Sequence, residues 1–274
     1  MRVFGVILTK FNKFRLKLTP LIFKGIAMKN RILVGVGLLA AFIILAFLDI
    51  FWINFLLFAL LLGLCVDESL KFYNLNNRAL VVIALAFFTF LPFMNAFYVI
   101  FLQLAVVTGA LAFVQHKEPK SILPFLYPAA PIFLMFGLLK DYGMSSLVWL
   151  VLCVAASDSA AFFVGKACKA RGFIHPLCSS SPNKSIQGAL AGIIAGALVG
   201  TLYAISFVDI GFLIALGASV LVAVFGIFGD LFESYLKRIA GLKDSGSLLA
   251  SHGGLLDRVD GLLFGVIALI IVLA

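Results

Sequence analysis

Long runs of apolar residues constrain the fold of this chain more than any other feature. Crossing a bilayer as a helix takes about 20 apolar residues, with about 17 as the lower limit. Nine runs come close to this requirement, at residues 32–48, 50–66, 79–94, 97–114, 122–139, 144–165, 186–207, 210–236 and 259–274. Only 12% of the 274 residues are charged, whereas a soluble domain averages about 25%. We therefore predict an all-α, polytopic integral membrane protein with about nine transmembrane helices.

Prolines and glycines modify individual spans. Pro92 in the third span, and Pro124, Pro128 and Pro131 in or near the fifth, predict kinks or short helices. Glycine recurs every fourth residue in the seventh span, at positions 188, 192, 196 and 200. A stripe of small residues on one face predicts close helix packing rather than catalysis.

Lysine and arginine are distributed asymmetrically across the predicted membrane. With nine spans, the N-terminus and the even-numbered loops share one side, and only Lys140 of the 21 Lys and Arg residues lies on the other. Because positively charged loops remain in the cytoplasm, the N-terminus is predicted to be cytoplasmic. The basic segment 1–31 is either a topology anchor, which we favour, or a segment that lies on anionic lipid.

The last polar stretch, residues 230–260, concentrates charges between two apolar runs. Five acidic residues (Asp230, Glu233, Asp244, Asp257 and Asp260) lie among four basic ones (Lys237, Arg238, Lys243 and Arg258). Carboxylates bind hard cations such as Mg²⁺, whereas Lys and Arg bind phosphate. Both together predict a site for a metal-bound nucleotide polyphosphate, on the predicted cytoplasmic side.

Asp257 and Asp260 are three residues apart at the start of the last span and therefore share a helix face. Such a pair could hold one cation or bridge two, and Asp230 could complete the site. Compensation of the helix dipole is the simpler alternative, but it explains one Asp better than two. His252, Gly253 and Gly254 form a backbone that can approach a phosphate closely. The spacing of the four cysteines indicates neither a metal site nor a disulfide.

Two further polar features lie upstream. Asp158 is a carboxylate within an apolar run, which marks a functional candidate unless it is shallow enough to reach the headgroups. Ser181, Pro182, Lys184 and Ser185 precede the seventh span, where a hydroxyl cap and a lysine at a helix N-terminus suit phosphate. A simple positive-inside cap is the alternative for Lys184.

The C-terminal polar stretch also contains a long fixed pattern. It reads Ser234-x-Leu236-Lys237-Arg238-x4-Lys243-Asp244-x-Gly246-x2-Leu249-x2-His252-Gly253-Gly254-x2-Asp257-Arg258-x-Asp260. This pattern resembles the signature of the phosphatidate cytidylyltransferases, also called CDP-diacylglycerol synthases. Ser181-Pro182-x-Lys184-Ser185-x2-Gly188 resembles a second motif of that family, in which Ser185 replaces Thr and Gln187 replaces Glu. Ala250 stands where the family usually has Pro or Gly.

The resemblance implies transfer of CMP from CTP to phosphatidic acid, with CDP-diacylglycerol and pyrophosphate as products. It implies one transmembrane catalytic domain over residues 32–274, with the signature at 230–261, in a bacterial inner membrane. It implies Mg²⁺, a second cation as a further option, and a homodimer; nucleic acid is not an expected partner. The implied catalytic residues are Asp230, Lys237, Arg238, Lys243, Asp244, His252, Asp257, Arg258 and Asp260, with Asp230, Asp257 and Asp260 as metal ligands. The implied substrate-binding residues are Asp158, Ser181, Lys184, Ser185, Gly253 and Gly254.

Two alternatives remain at this level. A CTP-dependent polyisoprenoid lipid kinase uses related chemistry but cleaves a different bond. A membrane transporter would use Asp158 on an ion path, but it would favour inverted repeats, which the sequence does not display.

Overall fold

The computed structural model describes residues 42–115, 118–172, 175–178, 181–242, 245–246 and 253–274. Three predicted site residues, Lys243, Asp244 and His252, lie outside the described residues, as does the basic segment 1–31. Residues 42–48 are helical. The described residues from Asp49 onward belong to one compact unit, which contains all the elements labelled below.

Helices make up most of this unit. They are α1 (Phe51–Phe72), α2 (Ala79–Phe88), α3 (Ala96–Phe113), α4 (Ala130–Ala170), α5 (Ile186–Phe207), α6 (Phe212–Ile239) and α7 (Leu256–Leu273). A 3-10 turn (Pro119–Ile122) and a π-helical turn (Phe125–Ala129) precede α4. Five segments among the described residues are long and apolar enough to cross a membrane: α1, α3, residues 119–170, α5 and α6. The prediction of an α-helical membrane protein is therefore confirmed, whereas the number nine stays a prediction.

The predicted kinks coincide with breaks in the helices. Helix α2 ends at Phe88, four residues before Pro92. Near Pro128 the backbone leaves helical geometry at Tyr127, with φ −147° and ψ 115°. Helix α4 breaks at Gly143, with φ 80° and ψ 174°, between the predicted fifth and sixth spans. A positive φ of this size suits glycine, which has no Cβ to clash.

The glycine stripe of α5 packs against α4 and α6, as predicted. A Cβ at Gly192 would lie 2.9 Å from the carbonyl oxygen of Ser157, and one at Gly196 would lie 2.9 Å from that of Cys153. Distances this short leave no room for a side chain, so the backbones of α4 and α5 are in direct contact. This packing holds the start of α5 beside the C-terminal half of α4, where Asp158 lies.

A short antiparallel hairpin precedes α5 and was not predicted. Its strands are β1 (Pro176–Cys178) and β2 (Ser181–Ser185), with Pro176 paired to Ser185 and Cys178 to Ser181. The sequence predicts only a polar loop here. The hairpin ends directly at the N-terminus of α5 and thereby fixes the position of Lys184 relative to that helix.

Candidate active site

The start of α5 brings Lys184 to Asp230. Ser185 is the N-cap of α5, and its Oγ accepts a hydrogen bond of 3.1 Å from the Gly188 amide, which confirms the predicted cap. The Lys184 ammonium forms an ion pair with the Asp230 carboxylate on α6. The side chains of Lys184 and Asp230 remain 28% and 34% exposed, so this pair is accessible from outside the fold.

Two more carboxylates surround this pair. Asp158 on α4 is exposed and lies within electrostatic reach of both Asp230 and Lys184. Asp260 on α7 lies within electrostatic reach of Asp230 and Asp158. Backbone contacts bring the same elements together, since a Cβ at Gly188 would lie 2.7 Å from the carbonyl oxygen of Ala161 and one at Gly229 would overlap that of Asp260. Residues from α4, the end of β2, α6 and α7 thus lie in one region, although about a hundred positions separate the first from the last.

Lys237 forms the centre of a second group, two turns after Asp230 on α6. Its Nζ donates a 2.5 Å hydrogen bond to Asp257 Oδ1 and lies 3.5 Å from Glu233 Oε1. Glu233 is completely buried, and neither of its carboxylate oxygens accepts a hydrogen bond from the described residues. Lys237 is therefore the cation that compensates this buried carboxylate.

Asp257 connects α6 to the segment that precedes α7. Its Oδ2 accepts hydrogen bonds from the Ser245 amide at 3.0 Å and the Gly254 amide at 2.8 Å. Burial alone would raise the pKa of Asp257, but the hydrogen bonds from Lys237 and Gly254 outweigh burial and lower that pKa to about 2. Asp257 is thus a firmly ionised carboxylate whose two oxygens are both engaged.

Glu68, near the end of α1, belongs to the same region and was missed by the sequence analysis. Its carboxylate is 6% exposed and accepts hydrogen bonds from Ser245 Oγ at 3.1 Å, the Leu255 amide at 3.1 Å and the Leu256 amide at 2.9 Å. Glu68 lies two residues beyond the predicted run 50–66 and next to Asp67, so the sequence offered little signal for it, whereas the structure extends α1 to Phe72 and buries this side chain.

Other predicted residues lie at the edge of this region. Arg238 and Arg258 are exposed, and Ser181 is partly exposed at the start of β2. Gly253 has φ +81°, a conformation that suits glycine, whereas the Gly254 amide is used by Asp257. Within the described ranges, no three His, Cys, Asp or Glu side chains lie close enough together to hold a metal ion.

Comparisons with known proteins identify the family. A model of the cytidylyltransferase family matches residues 29–274. The phosphatidate cytidylyltransferase of Helicobacter pylori (strain J99) is 36% identical to this chain over 251 residues, which cover 89% of this chain and 91% of that protein. The chain belongs to the cytidylyltransferase family. The phosphatidate cytidylyltransferase of Thermotoga maritima is similar over a shorter region, with 34% identity over 58% of this chain and 63% of that protein. The enzyme of that name from Bacillus subtilis is 36% identical over 46% of each chain.

In this cytidylyltransferase, Gln187 stands where the family motif has Glu. Its Oε1 accepts a 3.4 Å hydrogen bond from the His175 amide, at the base of the hairpin. That contact needs only a carbonyl-type acceptor, which Gln and Glu share. The departure from the family motif is therefore compatible with the hairpin that carries Lys184.

Proposed function

We propose that this cytidylyltransferase transfers CMP from CTP to phosphatidic acid and so forms CDP-diacylglycerol for phospholipid synthesis. The two relatives that match most of the chain's length carry the name phosphatidate cytidylyltransferase. The observation that carries the proposal is that the Lys184–Asp230 ion pair lies within electrostatic reach of Asp158 and Asp260, next to the N-termini of α5 and α7. A lipid phosphate arrives in the plane of the membrane and CTP arrives from water, so a site at a helix end serves both.

The reaction is an in-line displacement at phosphorus. An oxygen of the lipid phosphate attacks the α-phosphorus of CTP, and the bond from that phosphorus to the bridging oxygen of the β-phosphate breaks. Pyrophosphate leaves with that oxygen and its electron pair. The second pKa of a phosphate monoester is about 6, so the attacking group is already largely anionic at pH 7. No strong general base is required, and the site accordingly relies on charge and positioning.

Phosphate binding is assigned to the basic residues of the site. They are Lys184, Lys237, Arg238, Lys243 and Arg258. Lys184 is the counter-charge of Asp230 in the described state, and it can turn to a substrate phosphate once Asp230 has another cationic partner. Lys237 is more constrained, since it lies between Glu233 and Asp257.

Carboxylates are the donor type that Mg²⁺ prefers, but no three of them among the described residues lie close enough together to hold the ion alone, so oxygens of water and of the substrate phosphates would complete its coordination. Asp158, Asp230 and Asp260 lie within mutual electrostatic reach, and Lys184 is the one ammonium ion-paired with Asp230 in the described cluster. Sites rich in carboxylate oxygens suit a hard divalent cation, and a carboxylate of the cluster that does not bind the first cation could bind a second one. Asp260 is the most available ligand, because within the described ranges only its Oδ1 accepts a hydrogen bond, from the Gly261 amide, whereas both oxygens of Asp257 are engaged and Asp230 would first have to release Lys184. The bound cation would neutralise charge on the polyphosphate.

The proposed orientation has nine spans, a cytoplasmic N-terminus and a cytoplasmic active site, in a bacterial inner membrane. Lys140, the one basic residue on the proposed far side, supports it. Its Nζ donates hydrogen bonds to the carbonyl oxygens of Leu91 at 3.1 Å and Met94 at 2.8 Å. This lysine therefore has a structural role and does not weaken the charge asymmetry. A homodimer belongs to the proposal as an expectation.

An assay in mixed micelles tests the proposed reaction. Purified protein with labelled CTP, phosphatidic acid and Mg²⁺ is expected to release one pyrophosphate for each CDP-diacylglycerol formed. A polyisoprenoid lipid kinase would instead release CDP with a polyisoprenoid alcohol as acceptor. A transporter would turn over neither lipid and would move solute in liposomes. Formation of CDP, or no lipid product, would overturn the assignment.

A further inference from the structure

We propose that Glu68 is a positioning residue of the active site, which fixes the start of α7 and thereby orients Asp257. This inference rests on the proposed function for its consequence in catalysis. Its structural part stands on contacts that reach across more than 170 positions in sequence.

The contacts of Glu68 and Asp257 interlock. Ser245 donates its backbone amide to Asp257 and its hydroxyl to Glu68. The amides of Leu255 and Leu256 donate to Glu68, while the neighbouring Gly254 amide donates to Asp257. Two carboxylates from different helices thus hold both described flanks of the segment that joins α6 to α7.

Glu68 also supplies what the start of α7 lacks. The first amides of a helix have no partner within the helix and carry partial positive charge. Leu255, the N-cap of α7, provides no side-chain acceptor. The carboxylate of Glu68 satisfies these amides from α1, and a negative charge at this place is favourable for the helix dipole.

The glycines of the signature indicate how closely Glu68 approaches. A Cβ at Gly246 would overlap Glu68 Oε1 and lie 2.8 Å from Cδ, so all three of its nearest atoms would belong to Glu68. A Cβ at Gly254 would overlap Ser245 Oγ and Glu68 Oε2. The lack of a side chain at Gly246 and Gly254 therefore leaves space for the carboxylate of Glu68. This role is separate from any contact that the backbone of these glycines makes with phosphate.

The catalytic consequence is tested by Glu68→Gln. An amide keeps the size of the side chain but turns one acceptor into a donor, which then faces the donors of the segment. Residues that support a site in this way cost about 10- to 100-fold in activity when they are changed. We expect kcat to fall by about this factor and KM for CTP to rise, with KM for phosphatidic acid unchanged, because the segment carries nucleotide-binding residues.

The control is Asp67→Asn on the same helix. Asp67 is 40% exposed and pairs with Arg78 at 3.3 Å, so this change removes the same charge one residue away. Wild-type kinetics are expected for Asp67→Asn. Equal losses in the two variants, or wild-type kinetics in Glu68→Gln, would overturn the catalytic part of the proposal.

The contact itself is tested without any turnover. Gly246→Ala is expected to lower Tm by at least about 2–4 °C in the wild-type background and by much less in Glu68→Ala, where the overlapping atoms are gone. Hydrogen exchange at the Leu255 and Leu256 amides should accelerate in Glu68→Ala, with α5 unchanged. Additive Tm shifts and unchanged exchange would refute the positioning role. If the wild-type protein makes no CDP-diacylglycerol, the proposed function fails, and these two measurements still decide the role of Glu68.

Discussion

Gly229→Ala should separate the two helices that carry Asp230 and Asp260. At Gly229, α6 lies directly on the backbone of α7. An added Cβ would overlap the carbonyl oxygen of Asp260 and lie 3.0 Å from its carbonyl carbon and 3.1 Å from the Cβ of Phe264. The first two are backbone atoms and cannot turn away as a flexible side chain can. Helix α7 must therefore move back, and Asp260 moves with it.

The magnitude follows from these distances. Ordinary van der Waals contact begins near 3.4 Å, so α7 has to withdraw by roughly 1 Å to clear the carbonyl oxygen of Asp260. Overpacking of this kind costs about 1–3 kcal/mol of stability. A displacement of about 1 Å at a reacting centre can cost about 100-fold in rate, which corresponds to about 2.7 kcal/mol of barrier.

The assay compares purified Gly229→Ala with Gly217→Ala in mixed micelles. Gly217 lies on the same helix, and a Cβ there would meet nothing within 4 Å. We expect Gly217→Ala to keep wild-type turnover, and Gly229→Ala to lose about 100-fold in kcat while it still inserts into the membrane. Turnover of Gly229→Ala close to wild type would refute the argument that this crossing sets the distance between the two carboxylates.

Three further predictions use the same preparation. Asp260→Asn should lower turnover about a thousandfold or more, and chelation of Mg²⁺ should abolish wild-type turnover. The control Asp209→Asn, in an exposed turn, should have no effect, and normal turnover of Asp260→Asn would exclude Asp260 as a metal ligand. A membrane-impermeant maleimide should label Cys168 from the cytoplasmic side of sealed vesicles and Asp209→Cys from the other side; labelling of both from one side contradicts the proposed topology. Lys184→Gln should raise KM for CTP at least about tenfold. Its Tm should change little, since a partly exposed ion pair contributes only about 0–1 kcal/mol to stability. The control is Lys71→Gln, at an exposed lysine, and equal KM values for the two variants would show that Lys184 does not bind substrate.

Features that depend on local sequence were predictable. The glycine stripe repeats with the helix period, so the close contact of α5 with its neighbours follows from positions 188 to 200 alone. The cap at Ser185 depends on a hydroxyl before an apolar run, and the hydrogen bond to Gly188 confirms it. Breaks near Pro92 and Pro128 follow from the chemistry of proline.

Features that depend on pairing between distant or weakly patterned segments were not predictable. The hairpin before α5 has strands of three and five residues, too short for a periodic pattern to appear. The signature indicated that Lys237 and Asp257 serve one site, but it did not reveal that they form a 2.5 Å hydrogen bond. Such a bond depends on how α6 and α7 cross, and the close contact at Gly229 is one part of that crossing.

Glu68 illustrates the limit most clearly. Asp158 was selected as a carboxylate within an apolar run, whereas Glu68 lies two residues beyond the run 50–66, in the part of α1 that the sequence did not predict to be helical. The local sequence also does not name the partners of Glu68, because the donors at Ser245, Leu255 and Leu256 lie 177 to 188 positions away. The glycines of the signature carried the missing half of the information. From the sequence, Gly246 and Gly254 indicate only a flexible backbone, whereas in the fold they leave space for the carboxylate of Glu68 on α1. A glycine-rich signature beside a helix start is therefore also a reason to search the other helices for an acidic residue whose side chain occupies the space beside those glycines.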